Sequence, residues 1–128
     1  MFEKLEIVRM AQGYARHAAD RMGVTARNIA NADTPGYKAR DVTTFAESYR
    51  ASGAVPALKT SRPGHIAGFS GTASEVVLVA AGGAPNGNSV SLEREMVKLT
   101  ESRQQHDMAL SIYRSSSNAI KTALGRGR

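Results

Sequence analysis

The sequence predicts a mainly α-helical protein in which a long helix at each chain end contributes to a coiled-coil-like axial core, with a loop-rich middle segment carrying little β-structure. Apolar residues recur at three- and four-residue intervals near both ends of the 128-residue chain. The residues between contain seven of the twelve glycines and three of the four prolines, and no helical stripe persists there. We therefore divide the chain into an N-terminal helix with its turn (1–40), a middle segment (41–90) and a C-terminal helix (91–128).

An apolar stripe runs along the first predicted helix, with a mean spacing close to the ~3.5 residues of a coiled-coil seam. Its members are Leu5, Val8, Gln12, Ala15, Ala19, Met22, Ala26 and Ile29. Alanine buries little area, and Gly13 and Gly23 each weaken a helix by about 1 kcal/mol relative to alanine. We expect this helix to be marginal alone. The stripe residues that we predict to mediate helix–helix assembly are Leu5, Val8, Ala15, Ala19, Met22 and Ile29.

The second predicted helix begins after Ser91, a suitable N-cap, and stops at Gly125. Glu93 near its start and Lys121 near its end complement the helix dipole. Its stripe consists of Leu92, Met96, Leu99, Arg103, His106, Leu110, Tyr113, Ser117, Ile120 and Leu124. The apolar members that we predict to mediate assembly are Leu92, Met96, Leu99, Leu110, Tyr113, Ile120 and Leu124.

Two such stripes can pair with each other or with neighbouring molecules, and the sequence leaves both arrangements open. Apolar residues make up 41% of the chain, but aromatic residues only 5%, and tryptophan is absent. Thin cores of this kind are usually completed by a partner or a second copy.

The middle segment contains one strong strand candidate, Val76 to Ala81, which ends at a pair of glycines. Residues 41–50 are compatible with an extended arm or a short helical turn. Residues 84–89 have the composition of a flexible lead into the second helix.

The composition excludes several functions. The net charge is +6, but basic residues occur singly among acidic ones, so we expect a mixed solvated surface and no nucleic-acid partner. The absence of cysteine excludes disulfides and thiolate zinc sites. Charged residues interrupt the N-terminal segment, so we expect neither a cleaved secretory signal nor insertion into a membrane.

No arrangement of residues indicates catalysis, a cofactor or a metal. His17, His65 and His106 are far apart, without carboxylates at ligand spacing. We expect His17, off the stripe, to face solvent or a neighbour, and His106, on the stripe, to be an interface polar group. Neither a nucleophile elbow nor a phosphate loop is present. We predict that the chain is not an enzyme and carries no cofactor.

The segment after the first helix has a clear local conformation. Thr34-Pro35-Gly36-Tyr37 fits a type II turn, with proline at the second position and glycine where positive φ is required. Because Asn and Asp side chains bond readily to nearby backbone, Asn31 and Asp33 are predicted to satisfy the helix end.

The same segment resembles the signature of the flagellar axial-protein family, Asn-x-Ala-Asn-x-x-Thr-Pro-Gly-Tyr. The matching motif and turn residues are Asn28, Asn31, Asp33, Thr34, Pro35, Gly36 and Tyr37. Residues 38–41, 58–60, 65–66 and 87–96 are similar to the rod proteins of that family, with Ser91 standing where an aspartate is expected.

The resemblance implies a non-enzymatic subunit of the proximal rod of the flagellar basal body, the drive shaft that carries torque from the inner-membrane ring toward the hook. It implies export by the flagellar type III apparatus and self-association in a helical assembly. The implied partners are other rod subunits, the adaptor between the inner-membrane ring and the rod, and the export gate. The alternatives are another axial protein, a small basic helical binding module, or a scaffold subunit of a larger complex.

Overall fold

The computed structural model describes residues 2–52, 62, 74–79 and 83–125. The elements, in chain order, are α1 (Phe2–Ala30), β1 (Arg40–Val42), α2 (Phe45–Ser52), β2 (Val76–Leu78) and α3 (Leu92–Ala123). The predicted mainly α-helical fold, with a long helix near each end and little strand, is confirmed.

The two long helices pack side by side in opposite directions. Asn28 near the end of α1 contacts Glu95 near the start of α3, whereas Ile7 near the start of α1 lines the same groove as Ile112. Most of the buried side chains between the helices are small, and the largest fully buried ones are Asn28, Thr25 and Ser102. The helices therefore approach closely but bury little apolar area.

The buried line of each helix differs from the predicted stripe. The line passes through Ala11, Ala18 and Thr25 on α1, and through Glu95, Ser102 and Ala109 on α3. At about 100° per residue, the predicted stripe lies about 80° further around each helix than the buried line. Because the helices are antiparallel, these two shifts bring both stripes to the same side of the helix pair.

The middle segment combines both conformations that the sequence left open for residues 41–50. β1 pairs with β2 in antiparallel register, with Asp41 opposite Val77, and α2 follows. Thr44 and Glu47 form a reciprocal capping box at the start of α2, because each side chain bonds to the other residue's backbone N–H. The predicted strand is observed over Val76–Leu78, and residues 80–82 lie outside the described residues.

The second long helix has the predicted ends. Ser91 occupies the N-cap position in an extended conformation, although its side chain makes no capping hydrogen bond. Gly125 has a φ of 71° and donates its N–H to the Thr122 carbonyl at 3.1 Å, as expected for a glycine stop. Within the described ranges, no helix combines the length and apolar character needed to cross a membrane.

Candidate assembly site

The Thr-Pro-Gly-Tyr segment forms the predicted turn. The N–H of Tyr37 donates to the Thr34 carbonyl at 3.3 Å, and Gly36 has a φ of 74°. Asn31 donates to the Arg27 carbonyl at 2.8 Å and so satisfies the helix end as predicted. Asp33 is exposed and makes no hydrogen bond within the described part of the chain, so the prediction for its side chain is wrong.

Asn88 holds this turn against the segment that leads into α3. Its Nδ2 lies within hydrogen-bonding distance of three carbonyl oxygens, those of Asn31 at 3.0 Å, Ala32 at 2.7 Å and Thr34 at 2.9 Å. Its Oδ1 accepts from the N–H of Val90 at 2.7 Å, and the side chain is buried. One amide thus binds to three carbonyl groups of the turn that follows α1.

The expectation of a flexible lead at residues 84–89 is therefore wrong. The carbonyl of Asn86 accepts from the N–H of Gly36 at 3.0 Å, and Ser89 Oγ accepts from the N–H of Ala39 at 2.8 Å. Gly87 has a φ of 78°, and a Cβ placed there would lie 3.5 Å from the Gly36 Cα. The glycines and small polar residues of this segment permit close backbone packing and bonding to the turn.

Asn28 is the centre of a second buried polar cluster. Its Nδ2 donates to the Arg40 carbonyl at 2.6 Å and to Glu95 Oε2 at 2.8 Å. Its Oδ1 accepts from the Arg40 N–H at 3.1 Å and from the Tyr37 hydroxyl at 3.3 Å. The first residue of the motif thus connects α1, the turn, β1 and α3 through one fully buried side chain.

A chain of charges continues from Glu95. Lys98 Nζ lies 3.1 Å from Glu95 Oε1 and 2.9 Å from Asp41 Oδ2, and Asp41 Oδ1 accepts from Arg21 Nε at 3.3 Å. Partial burial on its own would raise the pKa of Asp41. The hydrogen bonds from Lys98 and the Val42 N–H, with the charges of Lys98 and Arg21, outweigh it and lower the pKa below its ordinary value.

The pKa of Lys98 changes in the opposite direction. Burial favours the neutral amine, but the hydrogen bonds and negative charges of Asp41 and Glu95 raise the pKa above its ordinary value. The cluster is therefore held together by ionised groups at neutral pH. Because Glu95 is almost fully buried, removing a partner would leave a charge uncompensated between the helices.

The two histidines that the structure describes, His17 and His106, do not form a common site. His17 is 4% exposed and its Nε2 lies 2.6 Å from the Thr43 carbonyl, so the expectation that it faces solvent or a neighbour is wrong. β1 and the start of α2 cover it, and its ring meets that of Phe45 edge-on at 5.7 Å. His106 is half-buried, 3.9 Å from Asp107, and His65 lies outside the described residues. In the described ranges, acidic residues and histidines form no cluster suited to a metal.

The predicted assembly residues lie along one side of the helix pair, which we call the assembly face. Ala19, Leu92, Met96 and Leu124 are exposed, and the half-buried members are Val8, Ala15, Met22, Ile29, Leu99, Leu110, Tyr113 and Ile120. The side chain of Leu5 lies outside the described side chains. The helix pair therefore leaves these apolar side chains partly free for contact with another molecule.

Sequence reasoning missed a second apolar surface. A groove on the other side of the pair is lined by Ile7, Met10, Ala11, Tyr14, Phe45 and Ile112. Ile7, Met10 and Tyr14 follow the same three- and four-residue spacing as the predicted stripe, so the signal was present in the sequence. Because only one apolar stripe was assigned to each helix, this second apolar surface was not predicted.

These features define a class of protein: an antiparallel pair of terminal helices braced by an Asn…Thr-Pro-Gly-Tyr turn, with apolar side chains exposed or half-buried on its surface. Residues 15–38 match the family described as flagella basal body rod protein. The chain is 31% identical to the flagellar basal body rod protein FlgB of Agrobacterium fabrum, covering 88% of both chains. It is 33% identical to FlgB of Bacillus subtilis over 82% of both, and 31% identical to FlgB of Escherichia coli over 99% of both. The chain belongs to the FlgB family of flagellar basal body rod proteins.

Proposed function

We propose that this chain is a structural subunit of the proximal rod of the bacterial flagellar basal body, and that it acts by assembly rather than by catalysis. The observation that carries the proposal is family membership across nearly the whole chain: FlgB relatives about 30% identical cover 88% to 99% of it. In this role many copies, joined through their terminal helices, transmit torque from the inner-membrane ring toward the hook.

The assembly face supplies the driving force in this proposal. Leu92 and Met96 are largely exposed, while Met22, Leu110 and Tyr113 are half-buried. Burying a large apolar side chain contributes about 1.5–3 kcal/mol relative to full exposure, and a half-buried one contributes less. Several such contacts per subunit, repeated between many subunits, would stabilise a polymer that no single contact could hold.

The polar clusters make the subunit a defined building block. A helix pair with a small apolar core can slide or separate, whereas buried hydrogen bonds must be matched in one register. Asn28 and Glu95 impose that register at one end of the pair, and Asn88 fixes the turn to the start of α3. Each copy then presents its assembly face with the same geometry.

Export by the flagellar type III apparatus, and contacts with the export gate and with the adaptor between the inner-membrane ring and the rod, form the finer part of the proposal. Two features of the chain support the export part of this proposal. The sequence contains no cysteine, and the helix interface depends on alanine, serine and threonine rather than on a large apolar core. Such a chain separates at low cost and can pass unfolded through a narrow channel.

Deletion of the gene, followed by complementation, tests the rod function. We expect the deletion to abolish swimming and rod formation, and the wild-type chain to restore both. Leu110→Asp places a charge on the assembly face and is expected to prevent incorporation into rods while leaving the free chain helical by circular dichroism. Ser111→Asp, at an exposed neighbouring position, is the control and should incorporate normally. Normal rods in the deletion strain would refute the function, and normal incorporation of Leu110→Asp would refute the assembly face.

A further inference from the structure

We propose that the groove opposite the assembly face receives the first three turns of α3 from a second copy of this chain. The inference rests on the proposed function and identifies what covers the exposed residues at the start of α3. The groove consists of two adjoining hollows, of about 220 and 230 Å³, and Tyr14 and Phe45 line both.

The groove changes character along its length. Its floor is α1 from Ile7 to Arg21, a distance of about 21 Å at 1.5 Å per residue, and its walls are α3 and the segment from Thr43 to Phe45. One end is apolar, and its residues Ile7 and Ile112 remain 42% and 40% exposed. The other end is polar and is lined by Arg21, Thr44 and Gln105. The groove therefore suits a helix that is apolar at one end and polar at the other.

The start of α3 has this distribution of residues. Leu92 and Met96, one turn apart, are 48% and 59% exposed, and the half-buried Leu99 continues the same side. The next position on that side is Arg103, which is exposed. Spacing of i, i+4, i+7 and i+11 is typical of a helix that binds in a groove. From Leu92 to Arg103 the helix spans about 16 Å, which fits within the groove.

Charge sets the direction of the docked helix. Glu101 lies one turn before Gln105 and lines the neighbouring hollow together with Arg21 of the polar end of the groove. Glu101 is exposed, whereas Arg21 is already paired with Asp41 at 3.3 Å. A docked α3 that runs parallel to α1 places its Arg103 near this Glu101 and its Leu92 near Ile7. The reverse direction would place the guanidinium against apolar side chains, where removing it from water is costly.

The donor segment and the groove are different surfaces of one molecule. Met96 and Ile112 are separated by about 24 Å along α3, so one copy cannot fill its own groove. Each copy can donate its α3 to one neighbour and receive α3 from another. A heterologous contact of this kind, when repeated with a rotation that does not close a ring, extends an open helical assembly.

Cysteine cross-linking tests this contact in the full-length chain, because the natural sequence contains no cysteine. Met96→Cys labels the donor helix and Met10→Cys labels the apolar end of the groove. We expect the mixture of the two variants to give at least about tenfold more disulfide dimer than either variant alone, the ratio that corresponds to 1.4 kcal/mol of preference. Asn118→Cys, exposed on a part of α3 that does not line the groove, replaces Met10→Cys in the control mixture and should give little product.

A charge exchange supplies an independent readout. Arg103→Glu on the donor should reduce the cross-link, and Glu101→Arg on the receiving chain should restore it when the two are mixed. Equal product in the control mixture, or as much dimer from Met96→Cys alone as from the mixture, would overturn the inference. If the Met96→Cys and Met10→Cys variants enter rods normally but their mixture gives no specific cross-link, only the groove contact is refuted. Absence of the wild-type chain from rods refutes the proposed function, whatever the cross-linking shows.

Discussion

Replacing Asn28 with aspartate tests whether the buried cluster sets the stability of the helix pair. The substitution keeps the size and shape of the side chain, so it creates no cavity. It replaces the amide nitrogen, which lies 2.8 Å from Glu95 Oε2 and 2.6 Å from the Arg40 carbonyl, with an acceptor oxygen. Two hydrogen bonds become repulsive contacts, and one of them joins two carboxylates.

The expected destabilisation has an upper limit set by protonation. Two charges about 3.5 Å apart repel by about 5 kcal/mol at an effective dielectric constant of about 20. Protonating a carboxyl group of ordinary pKa, about 3.9, costs about 4 kcal/mol at pH 7. The folded protein therefore takes up a proton instead, and we expect Asn28→Asp to cost about 4 kcal/mol at pH 7.

This mechanism predicts a distinctive pH dependence. The pKa of the introduced carboxyl is raised in the folded state, so the folded variant binds one more proton than its unfolded form between the two pKa values. The destabilisation should then fall by about 1.4 kcal/mol for each unit by which pH is lowered, to about 1.5 kcal/mol at pH 5. The loss of stability is largest at high pH and is relieved by acid.

Urea unfolding followed by circular dichroism at pH 7 and pH 5 measures this difference. Asn31→Asp is the matched control, because its side chain makes a hydrogen bond at 2.8 Å at the exposed end of the same helix. That change should cost about 1 kcal/mol and depend little on pH, since no buried carboxylate lies beside it. A cost below about 1 kcal/mol for Asn28→Asp at pH 7, or a cost that does not change with pH, would refute the reasoning.

Three further predictions concern the turn and the charge chain. Asn88→Ala removes a donor to three carbonyl groups and should cost about 2–3 kcal/mol in urea unfolding; a change below about 1 kcal/mol would mean that water replaces the amide. Gly36→Ala and Gly23→Ala both place a methyl group in open space, but Gly36 has a φ of 74° and Gly23 is helical. Gly36→Ala should lower the free energy of unfolding by about 1 kcal/mol, and Gly23→Ala should raise it by about 1 kcal/mol. The two melting temperatures should therefore move in opposite directions, and a shift in the same direction would contradict the turn geometry. Asp41→Asn removes a carboxylate whose pKa is lowered from 3.8 by its hydrogen bonds to Lys98 and the backbone, against the effect of burial. The wild type should therefore be the more stable above about pH 4, and titration to low pH should abolish the difference; a difference that persists in acid would show that the ion pair is not its source.

The helices and the turn could be predicted because their signals are local. The type II turn at Thr34–Tyr37 requires only proline and glycine at adjacent positions, and Gly125 ends α3 through its own backbone conformation. The capping box between Thr44 and Glu47 was equally readable and would have chosen between the two conformations left open for residues 41–50.

The contacts that brace the site could not be predicted in this way. Asn88 bonds to carbonyl groups more than 50 positions earlier in the chain, and nothing in the composition of residues 84–89 distinguishes a docked segment from a flexible one. His17 was assigned to the surface because it lies off the apolar stripe, but β1 and α2 cover that side of α1. The burial of His17 therefore depends on where the middle segment packs against α1, which the sequence pattern of α1 does not show.

The choice of helix faces shows why an apolar stripe is an incomplete guide. Ala18, Ala109 and Ser102 are fully buried because small side chains let two helices approach closely, whereas Leu92 and Met96 remain exposed. Reasoning from hydrophobicity selects the larger residues. In the proposed function, the larger apolar residues form contacts between molecules, and the buried line of small and polar residues forms the contact between the two helices of one molecule.

Solvent access to the assembly face in purified rods is the most direct test of the central claim. In a Met96→Cys chain that supports swimming, the introduced thiol should react readily with a maleimide in the free subunit, because Met96 is largely exposed. We expect the same thiol to be protected in isolated basal bodies and to become reactive again when the rods are dissociated in acid and the pH is restored. Equal reactivity in free and assembled chains would contradict the claim that neighbouring subunits cover this face.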